Sequence, residues 1–127
     1  MVEKDGMRVF FRKEFKDSID TDEIFKITSS SLDFLGNYIG SPHPYSKLDQ
    51  IFWPRHNYLG LSSQGILSYS EELISGEEST YRKVNLADTI AHEIVHQWFG
   101  NLTTMKWWDD IWAIEGLCVH LAGKILA

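Results

Sequence analysis

His92-Glu93-Ile94-Val95-His96 is the stretch that decides how this chain is read, and eighteen residues separate it from Glu115. On an α-helix, residues four apart lie about 40° apart around the axis and ~6 Å along it, so the imidazoles of His92 and His96 can point at one atom. Zinc suits that pair of nitrogens best. Glu93 then projects beside the metal, where it can take a proton from a water held there. A second helix could bring in Glu115 as a third ligand and leave the fourth position open. Three protein ligands and an open position are the arrangement of catalytic zinc, whereas structural zinc usually has four.

Two histidines at helical spacing are most often only that, so the surroundings carry weight. Asn85 reads as an N-cap and Asp88 puts negative charge in the first turn. Leu86, Ile90, Ala91, Ile94, Val95, Trp98 and Phe99 follow the helical period, and Gly100 closes the run. The motif therefore belongs to an amphipathic helix.

The 127 residues make one domain at most, and a hydrophobic content of 43% is enough for a core. Eighteen acidic against twelve basic residues give a net charge of −6, with no basic cluster of the kind that tracks phosphates, which argues against nucleic acid as a partner. Cys118 is the only cysteine and reads as a small buried hydrophobe, so the redox compartment stays open. Met1-Val2-Glu3-Lys4-Asp5 is charged where a signal peptide is apolar, and no stretch approaches the ~20 apolar residues of a spanning helix.

Before the motif, Met7 to Arg12 reads as a strand and Lys13 to Asp20 as a charged connection. Thr21 to Ile39 reads as a helix capped by Asp20 or Thr21, weakened by Thr28-Ser29-Ser30-Ser31 and stopped by Gly40-Ser41-Pro42. Leu48 to Trp53 and Gly65 to Tyr69 read as strands, Arg55 to Gln64 as a polar loop, and Ser70 to Ser79 as a solvated connection. After Gly100 a second helix begins near Asp109 or Asp110 and runs to Leu126. Trp98, Trp107, Trp108 and Trp112 suggest a tightly buried junction between the two helices, and Gly116 suggests a close packing contact. His43 and His56 fall in polar loops and are expected to face solvent, while His120 lies about 140° round the helix from Glu115 and points away from it. The Asn101-Leu102-Thr103 sequon is expected to be packed rather than modified, and Asp109 and Asp110 to start a helix, with one of them a candidate to orient a ligand histidine.

His92 to Asn101, followed by Thr104-Met105-Lys106-Trp107-Trp108-Asp109-Asp110-Ile111-Trp112 and Glu115-Gly116, closely resembles the gluzincin zinc aminopeptidases, the family of the membrane alanyl and puromycin-sensitive enzymes. Tyr45 to Trp53 and Gly65 to Tyr69 look like the strands that precede the zinc helix there. The resemblance implies an α+β fold, the N-terminal portion of a thermolysin-like catalytic domain spanning 1–127. Within it, 1–80 would be the strand, helix and loop part and 85–127 the zinc-binding helices. It implies one zinc ion held by His92, His96 and Glu115, with Glu93 as general base, and hydrolysis of the N-terminal bond of a peptide substrate. Members of the family are cytoplasmic or membrane-anchored, which leaves the compartment open.

Two departures stand out. The family carries a Gly-x-Met-Glu-Asn segment whose glutamate binds the substrate's α-amino group; in register with it, residues 59–63 read Leu-Gly-Leu-Ser-Ser, with Ser62 at the glutamate's position. Gly60, Leu61 and Ser62 are thus candidate substrate-binding residues of altered chemistry. The family also uses a tyrosine downstream of the third ligand, and Tyr38, Tyr45, Tyr58, Tyr69 and Tyr81 all precede the motif. A fragment is therefore expected, with the remainder of the peptidase chain as its partner. The rivals are a catalytically silent zinc-binding or peptide-binding relative, and a metallopeptidase without a strict requirement for a free N-terminus.

Overall fold

The computed structural model describes residues 1–127. Five strands, β1 (Val2–Lys4), β2 (Met7–Phe10), β3 (Leu48–Trp53), β4 (Gly60–Ser63) and β5 (Ile66–Ser70), form one sheet in the order β1-β2-β3-β5-β4. The centre is parallel, β2 with β3 and β3 with β5, and both edges are antiparallel. Three helices complete an α+β fold: α1 (Thr21–Ile39), α2 (Thr80–Val95) and α3 (Ile111–Leu126).

The hairpin of β1 and β2 went unread in the sequence. Asp5 and Gly6 both take positive φ, 51° and 78°, as a two-residue turn matched to strand twist requires. Helix α1 begins where Asp20 caps it, the carboxylate accepting the N–H of Glu23, and ends at Gly40 in the left-handed region. Its hydroxyl run does not break it. Thr28 and Ser31 donate to the carbonyls of Ile24 and Ile27, each at 2.7 Å, so those hydroxyls are satisfied inside the helix and can be buried. Thr28 also pairs with the buried Gln50 amide, whose oxygen accepts from Tyr69.

Several expectations are corrected. Residues 55–64 are not all loop, because Gly60–Ser63 pairs antiparallel with β5 as the edge strand β4. The segment after β5 is not simply solvated: Glu71, Leu73 and Ile74 are buried, and Glu71 is held by two bonds from Arg12 at 2.7 and 2.8 Å. Helix α2 starts at Thr80 rather than near 85, because Ser79, not Asn85, accepts the N–H of Arg82 as N-cap. It ends at Val95, and a tight turn rather than a further helical turn carries the chain to Gly100.

The tryptophans do not form a buried junction. Trp98 is 2% exposed, but Trp107, Trp108 and Trp112 are 65%, 68% and 73% exposed, because the segment before α3 lays their rings outward. A Cβ on Gly116 would meet nothing within 4 Å, so no close contact explains that glycine. His43 is half-buried, edge-on to Trp98, and burial lowers its pKa. His56 is half-buried too, within 3.1 Å of the Ser68 hydroxyl. Both rings lean on neighbouring elements rather than facing water.

The core gathers Val9, Ile24, Leu35, Leu67 and Tyr69 from the sheet and α1 with Ile90, Ile94, Val95 and Trp98 from α2 and its exit, and Cys118 and Leu121 from α3. Leu35, fully buried, joins these layers. Leu35→Ala is expected to cost about 2–5 kcal/mol of unfolding free energy, read from the midpoint and slope of a urea titration.

Candidate functional site

The side of α2 opposite its buried seam carries His92 and, at its C-cap, His96. Their Nε2 atoms stand 3.1 Å apart. Packing of α3 against α2 brings the Glu115 carboxylate to 3.3 Å from Nε2 of His92 and 3.4 Å from that of His96. The donor atoms of all three lie within 4.8 Å of one another.

This spacing can be tested against zinc. Ligands at about 2.0–2.1 Å in tetrahedral directions are separated from each other by about 3.3 Å. Separations of 3.1, 3.3 and 3.4 Å fit that tetrahedral edge. The tautomer fits as well. Nδ1 of His96 donates to the carbonyl of Phe99 at 3.0 Å, which leaves Nε2 as a lone pair facing the other donors. Two imidazole nitrogens and a carboxylate converging on one point form a donor set that fits a divalent cation. Burial, and the neighbouring His96, lower the pKa of His92, which also favours the unprotonated ligand form.

Close backbone approaches hold the set. Gly100 has φ of 125°, and a Cβ there would stand 3.0 Å from Nδ1 of His96, so a side chain would push against the ring. Cys118 packs under the same ring, with Sγ 3.4 Å from Nδ1, and burial pushes its thiol up to about 12, consistent with an inert hydrophobe. Gly60 on β4 touches Glu93: a Cβ there would meet Oε1 at 2.5 Å and Thr89 Cγ2 at 2.8 Å. Glu93 is therefore pressed between α2 and the edge strand, and this burial, aided by the negative charge of Glu115, raises its pKa to about 8.

These groups share one cleft of about 720 Å³. His92, Glu93, His96 and Glu115 line it on the helical side, and Tyr58, Gly60, Leu61 and Ser62 on the β4 side. Met105, Trp108, Ile111 and Ile114 add apolar wall. The sequence-derived candidates are thus brought together, His120 is exposed away from them, and neither Asp109 nor Asp110 bonds to a histidine. Gln97 and Asn101, which bind Ser62, were missed by sequence reasoning because their partners are 35 and 39 residues away. The amide of Asn101, within the sequon, is engaged in that bond.

A model of the peptidase family M1 domain matches residues 6–127. Leucyl aminopeptidase of Saccharolobus solfataricus is 33% identical over 104 residues, covering 80% of this chain and 13% of that protein. Aminopeptidase N of Canis lupus familiaris is 32% identical over 118 residues, 91% of this chain and 12% of that protein. Glutamyl aminopeptidase of Bos taurus is 40% identical over 93 residues, 71% of this chain and 10% of that protein. The chain spans 10–13% of the length of these relatives.

Two outcomes follow for stability. Because the folded pKa of Glu93, about 8, lies above its ordinary 4.5, folding favours the protonated acid. That stability is fully present below about 4.5 and lost as pH rises toward 8, on the order of a few kcal/mol. Thermal unfolding of metal-free chain across this range should show the loss, and Glu93→Gln should flatten it. Gly60→Ala forces Glu93 and Thr89 aside and is expected to cost about 1–3 kcal/mol by chemical denaturation.

Proposed function

The chain belongs to peptidase family M1, and from that premise we propose that it is part of a zinc-dependent metallopeptidase that hydrolyses peptide bonds at the N-terminal end of its substrates. The observation that carries this reading is the meeting, in one cleft, of three donor atoms at tetrahedral spacing with a buried carboxyl on the same helical turn. Relatives named as aminopeptidases support the substrate end. Residues 1–127 are proposed to be a partial thermolysin-like catalytic domain, completed by further peptidase chain. No helix is long and apolar enough to cross a membrane.

His92, His96 and Glu115 would hold the metal. When bound, zinc supplies Lewis-acid polarisation of a carbonyl and lowers the pKa of a water toward ~7. Glu93 serves as general base. Its carboxyl is held by Gly60 and Thr89 in one position facing the cleft, and its raised pKa makes it a better proton acceptor once ionised. Met105, Trp108, Ile111 and Ile114 offer apolar contact to a substrate side chain and exclude water from it.

His92→Ala is expected to abolish stoichiometric zinc, measured by metal analysis after dialysis. Glu93→Gln should keep the zinc while lowering peptide hydrolysis by ~10²–10⁴-fold. Equal activity of Glu93→Gln and the parent would remove Glu93 from the reaction. A folded, zinc-loaded parent that cleaves nothing would support a silent, peptide-binding relative instead.

A further inference from the structure

Two side-chain amides tie the β4 wall of the cleft to the exit of α2. Gln97 is fully buried, and its orientation is set by its partners: Oε1 accepts the N–H of Gly65 at 2.9 Å, and Nε2 donates to the carbonyl of Ser63 at 2.8 Å and to Oγ of Ser62 at 2.6 Å. Asn101 Nδ2 donates to the same Oγ at 2.8 Å. A serine hydroxyl has two lone pairs and one proton to give. Both lone pairs of Ser62 are taken, and its proton goes to no other group of the chain. What the Ser62 side chain offers the cleft is therefore a hydrogen-bond donor.

We propose that Ser62 is a specificity-determining residue that donates this proton to an acyl carbonyl oxygen of the substrate. The cleft then takes peptides whose residue before the scissile bond is acylated on nitrogen, and disfavours a free α-ammonium. The proposal rests on the zinc-peptidase part of the reading above and replaces a free amino end by an N-acylated one as the substrate class. An ammonium carries three donors and no acceptor, so Ser62 has nothing to give it. The carboxylates lining the cleft are Glu93 and Glu115, both committed to base and metal in that reading. Reach is compatible as well. Gly60, against Glu93, and Ser62 lie on one face of β4, about 7 Å apart along the strand, roughly one to two residues of extended peptide. Gln97 and Asn101 act as positioning residues, because they decide which end of the hydroxyl is left free.

The test is titration calorimetry of zinc-loaded chain with three hydroxamates: leucine hydroxamate with its free amine, N-acetyl-leucine hydroxamate and alanyl-leucine hydroxamate. All share the metal-directed group, so differences among them report the amino end. Both acylated probes should bind the parent at least roughly tenfold more tightly than the free amine, the scale of one hydrogen bond. Ser62→Ala should bring the three together, and Ser62→Glu, which adds acceptors only, should favour the free amine. Tighter binding of the acetyl probe would identify an N-acyl cap as the source of the carbonyl; equal or tighter binding of the alanyl probe would identify a preceding residue. A parent that binds free and acylated probes alike, or a preference that both variants leave unchanged, overturns the assignment to Ser62 while the zinc-peptidase reading stands. If none of the probes binds, that reading falls and the proposal with it.

Discussion

The cleft depends on α2 and its exit being buried on the far side. Ile90, Ile94, Val95 and Trp98 lie in the core, each worth about 1.5–3 kcal/mol of burial, and they fix the rotation of α2 about its axis. With that rotation set, His92 and His96 have one direction left, outward into the cleft. Their nitrogens meet at 3.1 Å, a separation suited to a shared cation. The same packing that stabilises the domain therefore preorganises the donor set.

Missing Cβ atoms matter as much as side chains present. At Gly60 the edge strand comes so near α2 that Glu93 lies against backbone, and desolvation there is the main cause of its raised pKa. At Gly100 the chain turns back on itself, so that the carbonyl of Phe99 can accept from His96. One glycine tunes the carboxyl and the other orients an imidazole. In both places the chemistry is set by how close two backbones can come.

The sheet contributes through its edge. Parallel pairing of β2, β3 and β5 builds the buried centre, and β4 is added antiparallel at the rim, beside α2. Amides from the exit of α2 bridge the gap to it, and a fully buried glutamine with every polar atom satisfied makes that bridge rigid. The strand thus acts both as part of the sheet and as one wall of the site.

Much of this could be read along the chain, wherever the physics is local. The bounds of α1 follow from Asp20 and Gly40, and the relation of His92, Glu93 and His96 follows from helical spacing alone. The capping of α2 was misread, since Asn85 and Ser79 are both good caps and only packing selects the earlier one. Aromatic density between Trp98 and Trp112 suggested burial, yet three rings are exposed, because composition does not say which side of a turn faces the core. The pressure of Gly60 on Glu93 and the amides that fill Ser62 join residues more than thirty positions apart. Sequence by itself determined the helical spacing that sets His92 and His96 side by side, since i to i+4 geometry needs no other part of the chain. Only the tertiary structure decided where the third donor arrives, how dry the carboxyl is and which hydrogen-bonding end Ser62 presents, since each is a contact between separate elements.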